Sequence, residues 1–386
     1  MSTALFWLRD DLRLEDNPAL SAAAQCDKLI ILYIWDESTD NDWPVGAASR
    51  AWLRRSLQAF AQQLTELGQQ LVIRQGNSLD VLQSVIATEA VDQVHWNRRY
   101  TPAGIALDKT IKAELKAAEI TVESHRGNLV FEPWEIGDNG NPVRVFTPFW
   151  KRCQKAGLKR DILPAPTTLP APSDLAADDI DTLPLQPSPA HWDAGFWQRF
   201  TPGEQGANDA LDAFLPKIAR YSDARDQPSI LGTSSLSPHF HFGEISPRVV
   251  IQRLLDAGID SSAAGPASFL SEIGWREFSY HLLFHRPNTP LQPLNPKFEV
   301  FPWAEVDPAE LKAWQQGKTG IPLVDAGMRE LWHTGTMHNR VRMVVASLLC
   351  KNLLIPWTDG AKWFWDTLVD ADLAANTMGW QWVAGC

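Results

Sequence analysis

The chain has 386 residues, of which 45% are hydrophobic and 21% charged, a composition that excludes a disordered chain and allows two domains of ordinary size. No apolar run approaches the ~18 residues that a membrane span needs, and the first residues lack the pattern of a signal peptide. The four cysteines lie far apart without a C-x-x-C pair, which disfavours a zinc site. We therefore expect a cytoplasmic protein with free thiols, no bound metal and no membrane partner.

Two features of the composition bear on possible partners. The net charge of −11 argues weakly against nucleic acid, although one basic groove can coexist with acidic residues elsewhere. The 18 tryptophans are an unusual excess. Many of them are expected in the core, because tryptophan fills cores well, and the others need a further explanation.

The N-terminal part alternates strand-like and helix-like segments. Short runs rich in Val, Ile, Leu and aromatic residues predict strands at residues 4–8, 29–35, 70–74, 91–96 and 120–123. Apolar residues at helical spacing predict helices over residues 47–67, 79–89 and 102–118. This alternation indicates an α/β domain with a doubly wound parallel sheet, which we assign to residues 1–130. Neither G-x-G-x-x-G nor G-x-x-x-x-G-K-[ST] follows a strand, which disfavours dehydrogenases and P-loop enzymes.

From residue 131 to residue 200 the periodic pattern is lost. Residues 163–189 combine many prolines with Ser, Thr, Asp and Ala, so we predict a long interdomain linker on the surface. Residues 201–386 are predicted to form an all-α domain. Its predicted helices cover residues 204–218, 247–257, 267–284, 308–316, 322–333, 339–353 and 360–367.

A run of hydroxyl side chains precedes a predicted helix start at Ser237-Pro238. The run consists of Thr233, Ser234, Ser235 and Ser237. Such residues offer N–H and O–H donors to phosphate oxygens, and an ordinary serine-rich turn with a helix cap is the alternative. His239 and His241 have no cysteine or carboxylate cluster nearby, so we expect surface or capping histidines rather than metal ligands.

The helix that follows residue 270 carries a polar face with one aromatic ring. By the i, i+3, i+4, i+7 rule, this face presents Glu272, Trp275, Arg276 and Ser279. An aromatic plate beside a carboxylate and a guanidinium suits a flat, polar, anionic ligand. A solvated Glu/Arg face on an amphipathic helix is the alternative.

Basic residues accumulate between residues 329 and 351. Against the single acid Glu330, the chain here has Arg329, Arg340, Arg342 and Lys351. With Trp332 and Met343 close by, the predicted helix start near Asn339 suits a surface that follows phosphates and stacks bases. A solvated basic face on a core helix is the alternative.

Two acids lie close together near the end of the chain, at Asp370 and Asp372. They could bind a metal, or Asp370 could pair with Arg342 inside a cofactor pocket. No third carboxylate follows at a suitable spacing, so we favour the ion pair.

These segments resemble the DNA photolyase/cryptochrome family and, within it, the bacterial class I cyclobutane pyrimidine dimer photolyases. The resemblance starts at Phe6 and rests on two long signatures, T-G-x-P-x-V-D-A-x-M-R-x-L from Thr319 and M-H-N-R-x-R-M from Met337. It implies an α/β N-terminal domain with an all-α C-terminal domain that binds flavin adenine dinucleotide (FAD). It also implies repair of pyrimidine dimers in double- or single-stranded DNA, by electron transfer from light-excited reduced FAD to a lesion taken out of the base stack.

The resemblance also implies roles for individual residues. For FAD it implies contacts from Tyr221, Thr233, Ser234, Ser235, Leu236, Ser237, Phe269, Arg276, Arg342, Asp370, Ala371 and Asp372. For the lesion it implies contacts from Glu272, Trp275, Arg276, Ser279, Asn339, Arg340, Met343 and Trp382. Asn376 would face the flavin N5 atom, and Glu272 would stabilise the dimer radical anion. A chain of three tryptophans from flavin to surface would consist of Trp380, Trp357 and Trp303.

Several residues depart from the family pattern. Phe269 stands where a tryptophan is common and Ser279 where a tyrosine is. Thr101 replaces a glutamate of folate-binding relatives, so an antenna pigment, methenyltetrahydrofolate or a deazaflavin, is undecided. Because relatives continue beyond Cys386 with further helices and an Arg-x-x-N-P segment, we expect a C-terminally truncated chain. We also expect a monomer.

Three alternatives stay open. A cryptochrome that binds flavin without repair is disfavoured by Asn376 and by the set Glu272, Trp275 and Met343. A (6-4) photolyase would be expected to carry a histidine near Met343. A light-independent nucleotide-binding protein built on the α/β domain would not bleach under blue light.

Overall fold

The computed structural model describes residues 2–39, 42–138 and 141–386. Among these residues, five parallel strands form one sheet in the order β3-β2-β1-β4-β5. The strands are β1 Thr3–Leu8, β2 Lys28–Trp35, β3 Leu71–Gln75, β4 Gln93–Asn97 and β5 Thr121–His125. The α/β prediction is confirmed, and each strand lies within about two residues of its predicted bounds.

Helices cover both faces of this sheet, which explains why its central strands are almost continuously apolar. They are α1 Pro18–Ala23, α2 Ala47–Glu66, α3 Ser78–Glu89 and α4 Pro102–Ala117. α1 and α2 pack with Phe6 and Ile31 on one face, and α3 and α4 pack with Leu5 and Val94 on the other. Because β1 lies between β2 and β4, the chain order reverses there and leaves a crevice at the carboxyl ends of the strands.

The stretch from residue 131 to residue 200 has more regular structure than its composition predicts. It holds the short antiparallel strands β6 Gly137–Asp138 and β7 Asn141–Pro142, followed by the helix α5 Phe146–Ala156. α5 buries Phe149 and Cys153 in the core of the helical domain. Further along, the proline-rich part runs beside the sheet, where Ala171 O accepts a hydrogen bond from Leu29 N at 3.0 Å. The surface connection therefore follows α5, and the boundaries at 130 and 200 stay predictions.

The remainder of the chain is helical, as predicted. Its helices are α6 Glu204–Phe214, α7 Tyr221–Ala224, α8 Ser237–His241, α9 Pro247–Asp256, α10 Ala264–His285, α11 Pro308–Gln315, α12 Pro322–Thr334, α13 Asn339–Ser347, α14 Trp357–Thr367 and α15 Leu373–Ala384. α13 continues as a π-helical turn over Leu348–Asn352. The sequence does not predict α15, because that helix carries apolar residues on nearly every side. No helix in the described part of the chain is both long and apolar enough to cross a membrane.

Buried polar contacts join the sheet domain to the helical domain. Arg248 Nε donates to Asp16 Oδ2 at 2.7 Å, with both side chains almost fully buried. The carboxylate of Glu204 accepts hydrogen bonds from the backbone N–H groups of Leu14 and Glu15 at 2.9 Å each. Removing one partner would leave a buried charge without compensation, so these contacts fix the relative position of the two domains.

Candidate active site

A large cleft of about 870 Å³ opens in the helical domain between α8, α10, α13 and α15. Its volume lies in the upper part of the range for ligand pockets, as a dinucleotide requires. The structure brings together here every residue predicted to contact FAD or the lesion, except Ser279. Asn376 and Trp380 line the cleft as well. Residues that are far apart in sequence thus converge on one cavity.

The predicted ion pair is present at the inner end of this cleft. Arg342 Nη2 donates to both oxygens of Asp370, at 3.0 and 3.1 Å, and Ser237 Oγ donates to Oδ2 at 2.6 Å. Burial alone would raise the pKa of Asp370, but the Arg342 charge and the Ser237 hydrogen bond lower the pKa below its ordinary value. Asp370 is therefore ionised, and Arg342 supplies the opposite charge beside it.

The neighbouring acid has a different task. Asp372 caps α15 by accepting from Ala375 N at 2.8 Å, and its other oxygen accepts from the Tyr280 hydroxyl. Asp370 and Asp372 therefore have separate protein partners. The ion pair that the sequence favoured, between Asp370 and Arg342, is present.

The hydroxyl loop keeps some donors free for a ligand. Ser237 uses its proton on Asp370, and Ser234 Oγ accepts from Leu236 N at 3.4 Å. The side chains of Thr233 and Ser235 line the cleft and have no side-chain hydrogen bond to any residue that the structure describes. Ser235 has a φ of +57°, a left-handed conformation that costs free energy in a residue other than glycine and often marks a binding site.

The two histidines after this loop differ from the prediction. His239 is not at the surface: it is 1% exposed, and its Nδ1 lies 2.5 Å from a carboxylate oxygen of the buried Glu244. Glu244 also accepts from Trp52 Nε1 at 3.0 Å, so His239 belongs to the packing between the domains. His241 is partly buried with its ring against Phe242. Neither histidine belongs to a possible metal cluster among the described residues.

Charged residues form a connected network at the rim of the cleft. Arg225 Nη1 donates to Glu272, and Arg340 Nη2 lies 2.8 Å from Asp226 Oδ1. Arg225 Nε lies 3.6 Å from the same Asp226 oxygen, which connects the two pairs. The sequence motifs did not point to Arg225 or Asp226. The available signal was their place in the charged run that follows α7, although their partners lie 47 and 114 residues away.

Aromatic and soft side chains complete the rim. Trp275 is partly buried and stacks on Phe146 of α5, with ring centroids 3.6 Å apart and planes 9° apart. Trp382 also lines the cleft and is 62% exposed, and Met343 Sδ lies 3.4 Å from Arg340 Nη1. This end of the cleft therefore offers flat apolar surfaces next to charged groups.

Arg276 and Ser279 have structural partners that the helical face rule does not reveal. Arg276 Nη1 donates to Asn128 O at 2.6 Å, so it ties α10 to the loop between the domains while lining the cleft. Ser279 is buried, and its hydroxyl donates to Arg276 O at 2.7 Å. Ser279 thus does not line the cleft with the other predicted lesion residues, because α10 is buried at that turn.

The three tryptophans predicted to lead from the flavin to the surface lie in one apolar cluster but not in one cavity. Trp380 lines the cleft, Trp357 is 4% exposed, and Trp303 lies at the edge of the same cluster. The Trp380 ring lies against Gly360, which follows Trp357 by about one turn of α14: a Cβ added at Gly360 would meet Trp380 Cη2 at 2.1 Å. Trp380 also has ring contacts with Phe364 and with Trp314, at centroid distances of 4.9 and 6.2 Å.

Another cavity, of about 310 Å³, lies at the crevice beside β1. We call it the sheet-edge cavity. Its lining includes Trp7, Arg9, Tyr33, Arg99, Thr101 and Trp365. Arg276 and His241 line both cavities and stand between them. The Thr101 hydroxyl accepts from Gly104 N at 3.2 Å as the N-cap of α4, which explains a threonine at this position.

Comparisons with known proteins bear on this architecture. A family model described as DNA photolyase matches residues 4–173, and one described as the FAD binding domain of DNA photolyase matches residues 269–386. The deoxyribodipyrimidine photo-lyase of Agrobacterium fabrum is 43% identical over 385 residues, which are 99% of this chain and 80% of that protein. The chain belongs to the photolyase/cryptochrome family.

Both branches of the photolyase/cryptochrome family are similar to this chain. Cryptochrome-2 of Arabidopsis thaliana is 39% identical over 402 residues, covering 99% of this chain and 64% of that protein. The solved structure of a bacterial class III photolyase from Agrobacterium tumefaciens has a TM-score of 0.94 and 42% identity, and the match covers 100% of this chain and 80% of that one. That relative is class III, so the expected resemblance to class I stays a prediction.

Proposed function

We propose that this protein is a deoxyribodipyrimidine photo-lyase that repairs cyclobutane pyrimidine dimers in DNA under blue light. The observation that carries the proposal is the convergence of the predicted FAD and lesion residues on one cleft. The 43% identity to a photo-lyase over nearly the whole chain supports the same activity. We also keep as predictions a monomeric state and a cytoplasmic location.

The inner part of the cleft fits FAD. Thr233 and Ser235 have hydroxyls to offer phosphate oxygens, and Asp370 with Arg342 offers a fixed acceptor and donor to the ring system. The buried Nε1 of Trp380 has no hydrogen-bond partner among the described residues, as expected beside a polar ligand. When bound and reduced, FAD supplies the excited electron that opens the cyclobutane ring.

The outer part of the cleft supports recognition of a flipped dimer. Trp275 and Trp382 present flat faces on which unpaired bases can stack. The Glu272 carboxylate can accept an N–H from a pyrimidine, and Arg225 holds it in place for that purpose. Arg340 can reach a phosphate once it leaves Asp226. The protein thereby positions the lesion and excludes water from it.

We further propose that the sheet-edge cavity accepts the antenna pigment, whether methenyltetrahydrofolate or a deazaflavin. The cavity has the aromatic rings of Trp7, Tyr33 and Trp365 for packing, with Arg9 and Arg99 for polar groups. Thr101 has no carboxylate to offer in place of the glutamate of folate-binding relatives, and its hydroxyl is engaged in capping α4.

Repair itself distinguishes a photolyase from a cryptochrome, the second candidate favoured by the identity to cryptochrome-2. Chemically reduced protein is incubated with a thymine-dimer oligonucleotide in the dark and under blue light, and restored thymine is measured. We expect repair in light alone, with a reduced yield in Glu272→Gln and an unchanged yield in the control Glu299→Gln, an exposed residue outside the cleft. Flavin binding without repair would assign the protein to the cryptochrome function.

A further inference from the structure

Three possible metal ligands lie together on the sheet, outside both cavities. β4 and β5 pair in parallel with His95 opposite Glu123 and Asn97 opposite His125. Because side chains alternate along a strand, His95, Glu123 and His125 project from the same face. One ligand atom from each of the three lies within 4.8 Å of the others.

The two imidazoles already stand at a distance that suits one ion. His95 Nδ1 lies 3.1 Å from His125 Nε2. Two nitrogens bound to zinc at about 2.0–2.1 Å with a tetrahedral angle would lie about 3.3 Å apart. The two nitrogens would thus need to move apart by only about 0.2 Å to bind the same metal ion. The Glu123 carboxylate is exposed and can close on the ion from the solvent side.

A neighbouring amide orients the inner histidine. Gln93 Oε1 lies 2.9 Å from His95 Nε2, and an amide oxygen can only accept, so Nε2 carries the proton. The lone pair of His95 is therefore on Nδ1, which faces His125. Gln93 also donates to Cys26 Sγ, which fixes the amide orientation. Such outer hydrogen bonds are typical of histidine ligands and raise their affinity for the metal.

Burial and charge define the kind of site. His95 is 3% exposed and His125 is partly buried, so both imidazoles are already held in place. Glu123 is exposed, so an ion can reach the site from solvent on that side. Two cations lie near His125: Arg98, which pairs with Glu132 at 2.9 Å, and Lys112, which donates to Ser124 Oγ at 3.1 Å. Lys112 offsets the Glu123 charge in part, which predicts weaker binding than at a closed cysteine site.

We infer that His95, Glu123 and His125 bind a single Zn²⁺ ion, with a water as the fourth ligand. Imidazole and carboxylate ligands in this number suit zinc. The expectation of no metal rested on absent cysteine and carboxylate clusters in the sequence, whereas this cluster forms by strand pairing. An ion here would clamp the edge strand β5 to β4. It would also stiffen the residues after His125, which line the sheet-edge cavity at Gly127 and Asn128.

The test uses the full chain without an affinity tag, dialysed against a chelator and titrated with zinc sulfate by calorimetry, with bound metal counted by mass spectrometry. We expect one zinc per chain and a higher melting temperature with zinc present. Glu123→Gln and His125→Ala should bind zinc at least tenfold more weakly. Gln93→Ala should lose about 10–100-fold in affinity through the freed His95 ring.

The matched control is His333→Ala, which removes an exposed histidine on α12. It should bind zinc as the parent does. Glu123 is exposed, so Glu123→Gln keeps the test valid if His125→Ala fails to fold, as checked by circular dichroism. Absence of zinc binding by the folded parent, or equal affinity in Glu123→Gln and the parent, would overturn the inference.

Discussion

Phe146 stacks on one face of the Trp275 indole, with ring centroids 3.6 Å apart and planes 9° apart. Gly274 makes this possible in part, because a Cβ there would lie 2.5 Å from Trp150, about one turn after Phe146 on α5. α5 therefore supports Trp275 from behind, and the opposite face of the indole is left for a ligand. A side chain held in this way loses little rotamer freedom when a base stacks on it.

Trp275→Ala should weaken binding of dimer-containing DNA by about 1–3 kcal/mol, the value of one base–aromatic stack. Phe146→Ala should weaken it less, because the indole remains but is no longer fixed. Both variants should keep the FAD content of the parent. Binding is measured by fluorescence anisotropy in the dark with a labelled thymine-dimer oligonucleotide.

Trp134→Ala is the matched control for this test, since Trp134 is 49% exposed and does not line the cleft. Its affinity should equal that of the parent. Parental affinity in Trp275→Ala as well would remove Trp275 from the lesion site.

Arg340 is held by Asp226 in the DNA-free protein. Removing the Asp226 charge should therefore increase the affinity of the protein for DNA. Asp226→Asn should bind DNA more tightly, because it removes a negative charge at the rim and frees a cation for a phosphate. A plot of the logarithm of affinity against the logarithm of salt concentration should also become steeper. Its slope should change by up to the value expected for about one extra phosphate contact. Arg340→Ala should shift both quantities in the opposite direction.

The control for Asp226→Asn is Asp181→Asn, which breaks an exposed pair with Arg54 elsewhere on the surface. It makes the same change in net charge. Equal salt dependence in the two variants would mean that Asp226 acts through overall charge and not through Arg340.

The tryptophan cluster offers two routes away from Trp380, which variants can separate. Trp357→Phe or Trp303→Phe should slow light-driven reduction of oxidised flavin while repair by pre-reduced enzyme survives. Trp314→Phe should leave the rate of photoreduction unchanged. Trp314 is fully buried and donates its N–H to Val345 O, so it does not lead from Trp380 to the surface. Transient absorption of the oxidised protein measures the rates. Slower photoreduction in Trp314→Phe together with the parental rate in Trp357→Phe would mean that the electron passes through Trp314 instead.

The fold was predictable where the signal is local. The strands of the sheet are short apolar runs between polar turns, so their number and order in the chain follow from sequence. α5 had a local signal as well, since Phe146, Phe149, Trp150 and Cys153 have helical spacing, but the surrounding prolines and glycines masked it. Motifs predicted which residues line the cleft, because those residues come in continuous signatures.

Features made by long-range pairing were not predictable in this way. The pairs Arg225–Glu272 and Asp226–Arg340 join residues whose separation in sequence carries no periodic signal. The same is true of His95 and His125, which meet only because β4 and β5 are neighbours in the sheet. Ser279 shows a different limit: helical spacing places it on the same face as Glu272 and Trp275, but the depth to which α10 is buried at that turn depends on the rest of the fold.

Glu277, next to Arg276 on α10, predicts a pH dependence of stability. Its carboxylate is buried and accepts from Val130 N and Phe131 N at 2.9 Å each. Burial raises its pKa to about 7 from an ordinary 4.5, although Arg276 and the two N–H groups act in the opposite direction. Between these pH values the folded protein holds a proton that the unfolded chain has released. The contribution of Glu277 to stability is therefore fully present below pH 4.5 and is lost as the pH rises through about 7.

Glu277→Gln should remove this dependence, since glutamine keeps an acceptor for the backbone N–H groups and carries no charge. The free energy of unfolding of the parent should fall relative to the variant by about 1.4 kcal/mol per pH unit, to a difference of about 3 kcal/mol at pH 8. Urea unfolding of the flavin-free proteins at pH 5, 6, 7 and 8 measures it. Glu299→Gln, at an exposed position, should follow the parent at every pH. Parallel curves for Glu277→Gln and the parent would show that Glu277 is already ionised in the folded protein at low pH, with Arg276 outweighing the effect of burial.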